Sequence, residues 1–395
     1  MPDPEPAATA QRIDLGPIDV AGHRLTLLPD GPERMDALIA LIDGAERTLR
    51  LLYYIYCEDD AGRTVRAAIA RALERGVRVS LIVDGFGSDA DDEFFAPIKL
   101  AGAEVCRFLP RIGRRYLLRN HQKLALADEA RVIIGGFNVE DSYFGPTPGD
   151  GSAWRDLGLL VEGEAAGRLA RYFDALSKWS HTPKAKIRDL RRTLKQHSET
   201  EGPVRWLMGG PTRRLSPWAA EIKAELRQAR RADLIAGYFA PNPGMLRPIE
   251  GIVRRGGSAR VVTAAKSDNN ATIAAARHTY HRLLKRGVRV FEYQATKLHT
   301  KLFVVDDASH IGSANYDMRS LYVNLELMIR IEDASFADLI RRYFEQELAS
   351  AREIGEGDHE RAGWFDRIKW GCAYFLVAVL DYNLSRRLNF GLDGR

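Results

Sequence analysis

Residues 120–138 read NHQKLALADEARVIIGGFN, and residues 298–317 read LHTKLFVVDDASHIGSANYD. Each stretch holds His-x-Lys, an Asp five residues after the Lys, and a Gly-containing turn that ends in Asn. The shared residues are His121, Lys123, Asp128, Gly135 and Asn138 in the first copy, and His299, Lys301, Asp306, Gly312 and Asn315 in the second. One His-x-Lys alone is commonly a solvated strand edge. Two copies with the same downstream pattern point to one active site assembled from two repeats.

The flanking sequence repeats too. Residues 47–84 give an apolar strand-like run over 51–56, an Ala-rich helix over 64–75, the stop Gly76 and a strand over 77–83. Residues 231–264 give the same order: a strand over 234–239, a helix over about 245–255, the stop Gly256-Gly257 and a strand over 259–263. IKLAGAEVCRF (98–108) and LLKRGVRVFEY (283–293) each read as a helix end, a Gly stop and a strand, and each precedes a His-x-Lys strand. Alternating strands and helices predict an α/β fold with crossovers and a mixed, largely parallel sheet covered by helices in each of two pseudo-symmetric halves. The expected division is a disordered lead-in (1–19), a first half (20–183), a polar basic linker (184–202), a second half (203–350) and an aromatic-basic tail (351–395).

On a strand, residues i and i+2 share a face, so His121 projects with Lys123 and His299 with Lys301. Imidazole can attack phosphorus or move protons near neutral pH, and the ammonium binds a phosphate oxygen as a point charge. Glycine in the turns 135–138 and 312–315 lets backbone approach a ligand, and the Asn amides can donate to phosphate oxygens. Two Lys and two Asn around one phosphoryl group would stabilise its developing charge without a metal or other cofactor. Asp128 and Asp306 stand at odd offsets, so a turn or structural ion pair fits them better than chemistry. A catalytic His needs a partner that fixes its tautomer. Candidates lie downstream of each copy: Asp156 in WRDLGLLVEG and Glu326 in YVNLELMIRIE. Both carboxylates interrupt apolar strand-like runs, where an unpaired charge is costly.

At these residues the chain resembles the phospholipase D superfamily, whose signature is H-x-K-x4-D-x6-G-S/G-x-N in two copies. The first copy fits throughout. The second has one residue fewer before Gly312, which a shorter hairpin turn would absorb and which bears on the approach of Ser313 and Asn315. Within the superfamily the chain is most similar to bacterial cardiolipin synthases, from about residue 20 to 350. The resemblance implies an α-β-α sandwich with the site at the interface of the halves and a phosphohistidine intermediate. It implies His121 as nucleophile and His299 as acid and base. It further implies phosphatidyl transfer from one phosphatidylglycerol to another, releasing glycerol. Hydrolysis of phospholipid, or nuclease action within the same superfamily, are the competing outcomes.

The 395 residues carry a net charge of +5 and a pI near 9.0, which suits anionic partners, lipid or nucleic acid. No basic patch with interleaved aromatics flanks the motifs, which disfavours nucleic acid. Cys57, Cys106 and Cys372 show no metal-ligand spacing, and their odd number fits a reducing compartment. No signal-peptide pattern opens the sequence, and no apolar run reaches the roughly 18–20 residues a bilayer span needs. Residues 361–390 set Trp364, Phe365 and Trp370 beside Arg361, Arg367 and Lys369, with Arg386 and Arg387 further on. That composition fits a helix lying on an anionic membrane surface, or an ordinary buried helix. The expectation is a cytoplasmic protein held peripherally on the inner face of the cell membrane.

Overall fold

The two quoted stretches become two hairpins, each near the middle of its own sheet. In the computed structural model, which describes residues 15–108, 118–145, 152–212 and 215–380, Leu124–Ala127 pairs antiparallel with Arg131–Gly135. Lys301–Val305 pairs antiparallel with Ala308–Gly312. Leu124 and Leu126 point into a core shared by both sheets, while Ala125 and Ala127 point to the core beneath the outer helices. Leu302 and Val304 alternate in the same way with Phe303 and Val305. Both faces of each strand are covered, which is why these strands read as unbroken apolar runs.

Each sheet has eight strands. The first runs Ile18–Val20, His23–Leu28, Gly158–Glu162, Arg131–Gly135, Leu124–Ala127, Thr48–Tyr53, Arg78–Asp84, Glu104–Phe108. The second runs Val204–Gly209, Glu326–Glu332, Ala308–Gly312, Lys301–Val305, Arg231–Ala236, Ser258–Ala264, Arg289–Tyr293, Ala351–Ile354. Dropping Ile18–Val20 from one edge and Ala351–Ile354 from the other leaves the same strand order twice. The fold is α/β with mixed sheets. The expected largely parallel character holds only for the last three strands of the repeated order, joined through helices Asp60–Glu74 and Asp92–Leu100 or Pro243–Arg254 and Asn270–Leu284. The remaining pairs are antiparallel, and among them the two motif pairs return through tight hairpins rather than helical crossovers. Gly76 and Gly256 end their helices at φ near +84°, a conformation that glycine adopts without a steric penalty.

Residues 184–202 contain the helix Ile187–Gln196, which buries Ile187, Leu190 and Leu194 in the shared core and turns Arg188 and Arg192 to solvent. The tail forms the helix Trp364–Tyr374, continued by the π-helical turn Phe375–Leu380, and it lies against Asn270–Leu284. Residues 1–14 of the lead-in and 381–395 of the tail, with Arg386 and Arg387, lie outside the described residues. Among the described residues no helix is long and apolar enough to cross a membrane.

Candidate active site

Each His-x-Lys lies at or just before the start of its strand rather than within it. The backbone there leaves its own sheet and bonds to the other half. The His121 N–H donates to the Leu325 carbonyl at 2.9 Å, and the His299 N–H donates to the Arg155 carbonyl at 2.8 Å. Leu325 and Arg155 immediately precede Glu326 and Asp156. Each imidazole is thereby delivered to the carboxylate of the opposite copy.

His121 Nδ1 donates to Glu326 Oε2 at 3.0 Å, and His299 Nδ1 donates to Asp156 Oδ2 at 2.6 Å. Both carboxylates are fully buried. Such a bond fixes the tautomer, leaving Nε2 of each ring as the reactive atom. The ring centroids lie 6.4 Å apart, and both rings line one cleft of about 470 Å³. Tyr143, Trp154 and Tyr238 surround His299, with ring centroids 5.4, 5.2 and 6.1 Å away. Tyr54 stands 5.1 Å from His121.

Lys123 and Lys301 are buried, and each Nζ donates to the carbonyl of the His two residues before it. Burial pushes the Lys123 ammonium down to about 7, against the pull of Glu326 and with the help of Lys301. Burial pushes Lys301 down to about 8, against Asp156 and Glu326. Burial also lowers both imidazoles, opposed by their carboxylates. An arriving phosphate anion reverses the balance, since it favours every positive charge around it.

Asn138 Oδ1 accepts from the Ile55 N–H at 3.1 Å, and Asn315 Oδ1 accepts from the Tyr238 N–H at 3.2 Å. Both residues line the cleft, and the Asn138 side chain also bonds to Tyr143. The one-residue difference between the copies sits in the hairpin turns. Three residues separate Ala127 from its partner Arg131, and two separate Val305 from Ala308. Beyond the turn the registers agree again, so Asn315 makes the bond that Asn138 makes. Asp128 and Asp306 hold these turns at φ of 54° and 48°. Asp128 accepts from the N–H groups of Glu46, Arg47 and Thr48, and Asp306 from those of Arg230 and Arg231. Ser313 Oγ donates to Glu326 Oε2 at 2.5 Å.

Known proteins share this architecture. Residues 38–177 and 222–348 match the family described as cardiolipin synthase, PLD-like domain. The chain belongs to this family. A cardiolipin synthase of Geobacillus kaustophilus is 28% identical over 361 residues, covering 89% of this chain and 70% of that protein. Cardiolipin synthase 1 of Bacillus anthracis is 30% identical over 365 residues, covering 87% and 70%. Among solved structures, a phosphatidylserine synthase of Haemophilus influenzae superposes with a TM-score of 0.71 at 13% identity, over 93% of this chain and 95% of that one. That likeness concerns the fold.

In this phospholipase D-like chain, one supporting residue and the reason for one turn glycine were not legible in the sequence. Arg34, fully buried, donates to the carbonyls of Asp156 and Tyr143, both at 2.7 Å, and so fixes the backbone beneath the orienting carboxylate. An arginine on an amphipathic helix gives no signal of that. Gly136 occupies the position equivalent to Ser313, and here the side chain matters by its absence. A Cβ at Gly136 would come within 2.7 Å of Asp156 Oδ2 and closer still to Oδ1. Gly136→Ala is therefore expected to displace Asp156 from His299 and lower turnover by about 10²-fold or more with the fold retained. Initial rates alongside a thermal melt check this. Turnover near wild type would show that the close approach is not needed.

Proposed function

We propose that this cardiolipin synthase-like enzyme transfers a phosphatidyl group through a phosphohistidine on His121, making cardiolipin and glycerol from two phosphatidylglycerol molecules. The observation that carries the reading is the pair of imidazoles facing one cleft, each held by a carboxylate of the other half. His121 Nε2 attacks phosphorus, the bond to the glycerol oxygen breaks, and His299 gives that oxygen its proton. The neutral His299 then takes the proton of a second phosphatidylglycerol hydroxyl. That oxygen attacks phosphorus, the N–P bond breaks, and His121 is regenerated. Lys123, Lys301, Asn138 and Asn315 donate to the non-bridging oxygens as charge gathers there. Burial among the surrounding rings holds the His299 imidazole well below its ordinary value against the pull of Asp156, so the charge of the bound phosphate is what favours its protonated form.

Phosphatidylglycerol vesicles incubated with the purified protein, with and without chelator, test the reading. Cardiolipin plus glycerol in both samples is the expected result. Phosphatidic acid alone would mean hydrolysis instead, and inactivation by chelator would overturn a reaction run by these side chains without a metal.

The depressed lysines give the reaction a pH signature. Below their pKa both carry charge and attract the substrate phosphate. As pH rises through about 7 to 8 the free enzyme loses that charge, so kcat/KM is expected to fall there, far below the ordinary lysine value of 10.5. Bound phosphate keeps the ammoniums charged, so the fall in kcat comes at higher pH. Profiles of both constants on one substrate check this, and coincident alkaline limbs would sink it.

The tail supports a lipid substrate. Trp364, Phe365, Ile368, Phe375 and Leu376 are all more than half exposed, and their spacing places them on one helical face. Arg361, Arg367 and Lys369 are exposed among them. The opposite face anchors the tail: Ala378 clusters with Ala240, Ala275 and Met318, and Tyr374 donates to the Pro241 carbonyl at 2.8 Å. Met318 adjoins Asp317 and Arg319 of the cleft wall. The apolar face thus belongs to a helix docked beside the cleft, where a bilayer would present headgroups. We expect Trp364→Ser with Phe365→Ser and Leu376→Ser to lower flotation with anionic liposomes severalfold. Unchanged flotation would discard this surface.

A further inference from the structure

The two halves repeat each other at the reacting phosphate but differ at one side of the cleft. Two arginines, Arg119 from the first half and Arg319 from the second, line the cleft. The position equivalent to Arg119 in the second copy is Lys297, whose Nζ lies 5.3 Å from the Trp154 ring centroid. The position equivalent to Arg319 in the first copy is Ser142. The cleft therefore carries two guanidiniums that the repeat does not duplicate, with the carboxylates of Asp84 and Asp317 in electrostatic reach of Arg119 and Arg319 respectively.

These guanidiniums are built into place. Arg119 is buried, with its Cζ 3.4 Å from the Phe86 ring centroid. The loop carrying Phe86 is tied by the buried Asp84, which accepts from the N–H groups of Phe86 and Gly87 and, at 2.7 Å, from that of Asn120, the residue between Arg119 and His121. Arg319 is the second residue of the short helix Met318–Tyr322, capped by Asp317, which accepts from the Ser320 N–H at 2.8 Å. The Arg119 and Arg319 charges are close enough to oppose one another. An anion near both relieves that opposition.

In the transfer reading, Lys123, Lys301, Asn138 and Asn315 serve the reacting phosphate. The arginines are surplus to it, and the reaction has one more anion to place. The acceptor is itself a phosphodiester, with its attacking hydroxyl joined to its own phosphate through the glycerol carbons. We propose that Arg119 and Arg319 form the acceptor subsite, holding the phosphate of the incoming phosphatidylglycerol while its hydroxyl approaches the phosphohistidine. This rests on the transfer reading above. It assigns the choice of an anionic lipid, over water or a neutral alcohol, to two named residues.

The test offers one enzyme two acceptors. Phosphatidylglycerol vesicles with isotope-labelled glycerol report exchange into phosphatidylglycerol, which needs no second phosphate site, and cardiolipin formation, which does. Arg119→Gln and Arg319→Gln are each expected to lower cardiolipin formation by about tenfold or more relative to exchange, mainly through a higher KM for the lipid acceptor. Arg319→Lys should recover part of that loss because it restores the charge. Exchange in the same samples shows that the site is folded and forms the intermediate. Equal loss for both acceptors, or no loss of cardiolipin, would overturn the acceptor subsite. A wild-type enzyme that exchanges glycerol yet forms no cardiolipin would instead overturn the proposed function, and the subsite with it.

Discussion

His121→Ala is expected to lower phosphatidyl transfer by at least about 10⁴-fold, because in the proposed mechanism His121 is the nucleophile that attacks phosphorus. The loss should appear in every product alike, since donor cleavage precedes any choice of acceptor. His299→Asn behaves differently. Its defect lies in protonating a poor leaving group, the glycerol alkoxide, and later in deprotonating the acceptor. A phosphatidyl ester of p-nitrophenol needs no proton to leave. With that donor, His299→Asn should release a near-normal burst of p-nitrophenol and then stall as a covalent phosphoenzyme. Rapid-quench trapping should find acid-labile, base-stable phosphorus on His121. Label on His299 in His121→Ala would reverse the roles, and an unimpaired His121→Ala would remove the covalent mechanism.

The repeat was legible because its spacing survives in sequence: His-x-Lys, a turn Asp and a turn Asn recur with a one-residue difference. The crossovers were legible from helices that end at Gly76 and Gly256 before apolar strands. The antiparallel share of the sheets exceeded the mixed, largely parallel expectation because βα alternation covers only part of each half. Yet a hairpin of three residues between Ala127 and Arg131 can only return antiparallel, and the signal lay in the motif itself. Asp156 and Glu326 stood out as carboxylates inside apolar runs. Which His each one serves was not legible, because it depends on backbone bonds such as His121 to Leu325, between residues remote in sequence. Arg34, Arg119 and Arg319 were three among 58 basic residues, and local sequence gives no sign that the first lies beneath Asp156 and the other two line the cleft.

The cross-pairing makes a prediction that pairing within each half would invert. Asp156 belongs to the first copy but bonds to His299 of the second. Asp156→Asn should therefore injure the acid step. An amide can offer Nδ1–H only a weaker, neutral acceptor, or present its own N–H and turn the ring to the wrong tautomer. Losses of about 10³- to 10⁴-fold follow from such changes. The natural glycerol leaving group should show the full loss, and p-nitrophenol should recover most of the first turnover. Glu326→Gln should instead injure His121, which it orients at 3.0 Å while also accepting from Ser313. Its loss should persist with p-nitrophenol, because nucleophilic attack itself is slowed. Both replacements keep side-chain volume, so packing around the site is little disturbed. Each neutralises a buried partner of Lys301, which Asp156 and Glu326 both help to keep charged, so kcat/KM in each variant should begin its alkaline fall at lower pH than in wild type. If Asp156→Asn resisted rescue by the better leaving group while Glu326→Gln accepted it, either the roles of the two histidines or the pairing would be reversed. Phosphoenzyme trapping on His121 or His299 tells those two cases apart.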